Sequence, residues 1–307
     1  TGISTLTTTQ IEALKTGQIP ALSTAQVGEL TSNQVVALET ADVATLSTAQ
    51  VAAISTTNLI ELSSSQIVAL STSRVAALTT TQVEGLGTTQ VSALETGDIA
   101  ALRTAQVLVL SSANVDALST SQVAAFTTAG IAAMGTTQIS ALGTSLVEAM
   151  RTAQVVALTT TQIDTLSSNQ VVAMETADIA ALRTVQVAAL STTNLIELST
   201  SQIAALSSAS VAALGTTQIS VLSTSQIDSI ETVDIAALRT AQIEALSTAN
   251  VVLMTTSQIA ALTTAGVAAL GTSSVEALTT SQIEALKTAQ VRALTTTQIA
   301  ALSTTQI

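Results

Sequence analysis

The chain contains no cysteine, histidine, tryptophan or tyrosine, and only one phenylalanine and one proline among 307 residues. Losing His and Cys removes the usual ligands of zinc, copper, haem and iron–sulfur clusters, together with the commonest general base and the thiol nucleophile. No enzyme is expected, and no catalytic residue, cofactor or metal site is assigned. Without aromatic rings, which normally carry much of a globular core, the interior must be a regular lattice of small aliphatic side chains. Basic residues are also scarce. Eight Lys and Arg against twenty Asp and Glu give a net charge of −12, which opposes attraction to nucleic-acid phosphates or anionic lipid. Apolar residues are plentiful but dispersed, and no run approaches the roughly 18 residues of a membrane span, so no membrane insertion is expected. The first residues show neither the basic nor the apolar region of a signal peptide, and the lack of cysteine leaves the redox compartment open.

What is present is a period. Leu6, Leu14, Leu22, Leu30, Leu38 and Leu46 fall eight residues apart, and the register persists along the chain. With this Leu as position 8, the octad reads [ST]-T-x-Q-[VI]-x-A-L, as in TTTQIEAL (7–14) and TTTQIAAL (295–302). Position 5 is Ile or Val except at Leu59 and Leu195. Position 8 departs from Leu only to Ile54, Phe126, Met134, Met150, Met174, Ile230 and Met254. Phe126 and the methionines therefore read as core substitutions and not as a ligand pocket.

Positions 5 and 8 lie three apart, on one side of a helical turn, whereas a strand would send them to opposite faces. A continuous α-helix fails, because eight residues advance about 800° and the apolar stripe would drift about 80° per octad. The expected fold is therefore all-α: a solenoid of very short helices, one per octad, with positions 5, 7 and 8 turned inward. Core positions include Ile11, Leu14, Val27, Leu30, Val51, Ile54, Ile99, Leu102, Phe126, Met134, Ile179 and Leu182. A β-solenoid is the alternative, since Thr, Val and Ile favour strands and Gln or Thr can stack in ladders.

Position 2 is always Thr or Ser, whereas position 1 admits Glu39, Arg103, Lys15 and Gly135. Position 2 is thus the expected N-cap, represented by Thr8, Thr24, Thr40, Thr96, Thr176 and Thr232. Gln or Asp at position 4 would then lie in the first turn, where an anion suits the helix dipole. That placement explains the carboxylate pairs Glu39 with Asp42 and Glu175 with Asp178 without invoking Ca²⁺ or acid–base chemistry. Gly87, Gly135, Gly143, Gly215 and Gly271, all at position 1, suggest left-handed helix stops. Pro20, at position 6, would cost a hydrogen bond and mark a local irregularity.

A longer period overlies the octad. STTNLIEL occurs at 55–62 and again at 191–198, an offset of 136 residues or seventeen octads, and ETADVATL (39–46) meets ETADIAAL (175–182) at the same offset. The array is expected to be one continuous domain, 1–307, with duplicated units at about 31–166 and 167–302 preceded by the tail of a similar one. Charged octads beginning at Lys15, Glu39, Glu95, Arg151, Glu175, Glu231 and Lys287 are spaced by three or seven octads. That spacing predicts about 3.4 octads, or about 27 residues, per coil. It would bring Lys15 to Glu39, Arg74 to Glu95 and Arg151 to Glu175 as surface pairs between coils.

Tandem units such as STAQVAAI (47–54) and TTSQIAAL (255–262) resemble the repeat regions of very large bacterial surface or adhesin-like proteins. The resemblance implies export to the cell surface or extracellular space and an extended stalk or filament. The chain begins and ends in mid-octad, so it is expected to be part of a longer array, or to stack end to end or laterally on further copies. A structural filament is the expected function. The alternative is a binding module that displays a regular Thr/Gln surface to a glycan, another surface or ice. There is no Asn-x-Ser/Thr sequon, although the density of Ser and Thr permits O-linked glycans.

Overall fold

The computed structural model describes residues 2–307, which form short helices in tandem with no strand among them. One helix per octad is observed, typically five or six residues long, as at Thr48–Ala53 and Thr80–Gly85. The all-α solenoid of short helices is therefore the fold. Helices this short do not persist alone in water, so each depends on its caps and on its neighbours in adjacent coils.

The cap is at position 1, not position 2, which corrects the expectation for Thr8, Thr24, Thr40, Thr96, Thr176 and Thr232. All six are exposed first residues of their helices, preceded by Thr7, Ser23, Glu39, Glu95, Glu175 and Glu231 as N-caps. The reason is the glutamine. A capping box joins the N-cap to the residue three further on, and three before position 4 is position 1. At Ser47 the hydroxyl accepts from Gln50 N at 3.2 Å while the Gln50 Oε1 accepts from Ser47 N at 2.7 Å. The second bond needs only the cap's backbone, so position 1 tolerates residues without a capping side chain. Gly87 N and Arg151 N reach their glutamines at 3.1 and 2.7 Å.

The position-1 glycines are likewise not left-handed stops. Gly87, Gly135, Gly143, Gly215 and Gly271 have φ between −79° and −59°, and Gly2 is the one glycine with positive φ among the described residues. Helices end instead when position 8 turns extended. Leu86, at φ −61° and ψ 133°, donates its N–H back to the Val83 carbonyl at 3.2 Å. Where Pro20 removes a donor, residues Thr16–Ala21 form a 3-10 helix in place of an α-helix. Replacing Pro20 with Ala is expected to restore the α-helical octad and to stabilise the chain by about 1–3 kcal/mol, measured as a raised denaturant midpoint.

The chain divides into two compact units, one ending at Leu158 and the other spanning Thr159–Ile307. This division falls on an octad boundary, eight residues before the duplicated-sequence boundary at 166/167. In the first unit, Thr48–Ala53 packs against Thr24–Gly28 and Thr72–Ala77. In the second, Thr184–Ala189 packs against Thr160–Thr165 and Ser208–Ala213. Each helix therefore meets the third before and the third after it. Side-chain hydrogen bonds reach one octad further, from Gln50 to Leu22, 28 residues back. A coil accordingly closes between three and four octads, as the charge spacing predicts.

Positions 5 and 8 form the core within each unit. Of the twelve expected core residues, eleven are buried, including Phe126 and Met134; Leu14 is half-buried. Each buried Ile, Val or Leu side chain contributes about 1.5–3 kcal/mol. Position 7, expected inside, is only half-buried at Ala37, Ala53 and Ala93, and its place is taken by position 4. Gln106, Gln186 and Gln242 are completely buried. The glutamines from Gln34 to Gln298 are thus inside the solenoid and not part of the displayed Thr/Gln surface, whereas Gln10, Gln18 and Gln26 of the first coil are exposed.

Candidate functional site: glutamine rungs and the lateral surface

A position-8 residue lies between two helices, so its carbonyl has no partner in either backbone ladder, and a buried carbonyl left in that state costs about 1–3 kcal/mol. Position 4 supplies the donor. Gln82 Nε2 donates to Ile54 O at 2.7 Å and Val51 O at 3.0 Å, while its Oε1 accepts from Thr79 N at 2.8 Å. In the second unit, Gln258 Nε2 reaches Ile230 O and Ile227 O, both at 2.9 Å. One side chain thus starts its own helix and closes the carbonyl of the coil behind. The rung has polarity: every coil gives N–H in one direction and offers C=O in the other.

Substitutes at position 4 preserve this contact where their chemistry allows. Asn114 Nδ2 donates to Leu86 O at 3.0 Å, and Asn250 Nδ2 to Leu222 O at 3.1 Å. Arg74 Nε donates to Leu46 O, and its Nη1 to the Ser71 hydroxyl at 2.9 Å. Two position-1 arginines reinforce glutamine rungs, with Arg103 Nη2 on Leu78 O at 2.8 Å and Arg239 Nη2 on Leu214 O at 3.0 Å.

The two predicted charge pairs that lie inside the first unit, Lys15 with Glu39 and Arg74 with Glu95, do not form. Arg74 is spent on a carbonyl and not on Glu95, and no ion pair joins Lys15 to Glu39 among the described residues. Arg151 and Glu175 belong to different units; Arg151 caps its helix through its backbone N–H. The guanidinium groups of Arg74, Arg103 and Arg239 therefore serve backbone satisfaction.

Asp42, Asp98, Asp178 and Asp234 occupy the rung position with relative exposures of 1%, 1%, 2% and 4%. Their place in the first turn is as expected, but they are interior groups. Asp98 Oδ2 accepts from Glu95 N at 3.0 Å, Asp178 Oδ2 from Glu175 N at 3.3 Å, and Asp234 Oδ1 from the Ser208 hydroxyl. Asp42 has no partner on either oxygen. Its third-preceding octad is the Pro20 octad, where position 2, the place of Ser208 in the Asp234 arrangement, is Thr16 of the 3-10 turn.

The outward face carries positions 1, 2, 3 and 6, mostly Thr, Ser and Ala, with isolated apolar residues such as Val36, Ile60, Val68 and Leu108. Its hollows are shallow, one of them lined by Ile60, Ser63, Ser64, Gly85 and Thr89. Among the described residues, no group of three acidic side chains could hold a metal ion, and no helix is long and apolar enough to cross a membrane.

A family model described as the ALTTAQ repeat matches residues 3–39, 35–72, 64–96, 91–128, 147–174, 171–208, 197–229, 227–264, 260–288 and 283–307. The chain belongs to the ALTTAQ repeat family. Near forms of the six letters, ALRTAQ (101–106) and ALKTAQ (285–290), run from position 7 to position 4. The ALTTAQ unit therefore spans the position-8 carbonyl, the N-cap and the rung glutamine of the following helix. The stretch between the matches, 129–146, contains Gly130 and Leu146, the position-4 residues of their octads, neither of which can form a rung. No curated protein in the comparison matches the chain.

Proposed function

We propose that this ALTTAQ array is a structural element, a stalk or filament at the cell surface or outside the cell, lengthened by adding coil upon coil. The observation supporting this reading is the polarity of the rung. A donor edge and an acceptor edge of the same design make a head-to-tail contact that can repeat without closing. Such a lattice adds length at constant cross-section, and nearest-neighbour stabilisation permits any number of coils. The outward face supports the same reading: its hydroxyls and small side chains converge on no deep cavity and no acid–base pair.

Electron microscopy and sedimentation velocity of the purified chain test the proposal. Linear particles whose length grows with protein concentration are expected, and surface labelling of the producing cells with an antibody to the array. Particles of a single size at every concentration, together with labelling confined to the cytoplasm, would overturn it.

A further inference from the structure

A shallow hollow on the outward face of the first unit is lined by Thr8, Glu12, Asn33, Val36, Ala37 and Glu61. The helices Thr8–Glu12, Ser32–Val36 and Thr56–Leu59 belong to octads three apart and pack one on the next, which brings these side chains together. Part of the lining is aliphatic: Val36 is 47% exposed, and Ile60, the neighbour of Glu61, is 41% exposed. Glu12 and Glu61 are exposed, and neither carboxylate has a hydrogen-bond or ion-pair partner among the described residues. No basic side chain among the described residues lines the hollow.

All six residues recur in the sequence 136 residues on, as Thr144, Glu148, Asn169, Val172, Ala173 and Glu197. Other outward residues at position 6 have drifted apart at the same offset: Val68 meets Ala204, Glu84 meets Ser220, Leu108 meets Glu244 and Asp116 meets Val252. Glu12, Asn33, Val36 and Glu61 neither cap a helix nor fill the core, so packing gives no reason for their retention. Two unpaired carboxylates beside exposed aliphatic surface fit a side chain divided in the same way, with an apolar stem and a cationic head that donates to carboxylates. Arginine matches best, because its planar fork donates to two acceptors and is more weakly hydrated than an ammonium. This chain does not supply it readily to a second copy: Arg74, Arg103 and Arg239 are committed to carbonyls, and a net charge of −12 sets two copies against each other.

We propose that this hollow docks a basic segment of another protein, seating an arginine side chain with its stem on Val36 and Ala37 and its guanidinium between Glu12 and Glu61. Thr8 and Asn33 offer further acceptors at the edge. An aliphatic residue beside that arginine covers Ile60. The surface adds a partner to the structural reading above and does not depend on it.

The test is a fluorescence-anisotropy titration with a short fluorescein-labelled peptide alternating arginine and leucine, at physiological ionic strength. One variant carries Glu12→Gln and Glu61→Gln together with Glu148→Gln and Glu197→Gln, since the sequence repeats the set. A second, with the same change in net charge, carries Glu84→Gln, Asp116→Asn, Glu244→Gln and Glu284→Gln. All eight residues are exposed, and circular dichroism checks that both variants fold. The first variant is expected to bind about ten-fold more weakly than the wild type, as the loss of two ion pairs at a surface allows, and the second to bind like the wild type. Citrulline in place of arginine should abolish binding, and serine in place of leucine should weaken it. Absence of saturable binding to the wild type, equal weakening in the two variants, or equal binding of the citrulline or serine peptide would overturn the proposal.

Discussion

Replacing Gln82 with Ala is expected to lower the stability of its unit by about 2–5 kcal/mol, measured by urea denaturation followed in the far ultraviolet. Two backbone groups lose their partners in one step: the Ile54 carbonyl, held at 2.7 Å, and the Thr79 N–H, held at 2.8 Å. The buried Ile54 carbonyl left without a donor costs about 1–3 kcal/mol, the partly buried Thr79 N–H adds to that loss, and trimming a side chain that is 2% exposed adds a packing loss. Gln82→Asn should cost less, because Asn58, Asn114 and Asn194 retain the donation to a leucine carbonyl. If Gln82→Ala proves no worse than alanine at a neighbouring exposed residue such as Thr81, the rung does not stabilise the coil contact.

Much of this architecture was legible from the octad, and the parts that were not share one cause. Apolar positions 5 and 8, the failure of a continuous helix and the non-integral coil all follow from spacing, and the structure has them. Side chains alone point to position 2 as the N-cap, because position 1 admits Glu39, Arg103 and Gly135. The capping partner, however, is the glutamine's Oε1, and its contact is with the backbone. The signal was available: [ST]-x-x-Q is a capping-box pattern, and it begins at position 1.

By spacing, Gln at position 4 is a first-turn polar residue, yet Gln106 is as buried as Val107 beside it, both 0% exposed. Sequence spacing cannot reveal that a position-8 carbonyl, 28 residues back, needs a donor. The same blindness produced the charge pairs. Spacing alone places Arg74 near Glu95, whereas the guanidinium donates to the Leu46 carbonyl.

Excising one whole octad, residues 63–70, is expected to leave the first unit folded, whereas excising only 63–66 should break its cooperativity. After whole-octad removal every downstream glutamine again finds a position-8 carbonyl about four octads back, because successive octads offer equivalent acceptors. Removing half an octad shifts all later rungs out of phase across the cut. Rungs span 28 to 31 residues, as Gln82 does to Ile54 and Val51, and three of them cross this junction, from Arg74 to Leu46, Gln82 to Ile54 and Gln90 to Leu62. Losing them together leaves buried carbonyls and N–H groups worth about 1–3 kcal/mol each, comparable in sum with the whole stability of an ordinary domain at about 5–15 kcal/mol. Limited proteolysis and denaturant melts distinguish the two deletions. A single sharp transition is expected for the octad deletion, and early cleavage near the junction with a broadened or split transition for the half-octad deletion. Identical melts for the two would mean that the coils are held by apolar burial alone and that the glutamine register carries no weight.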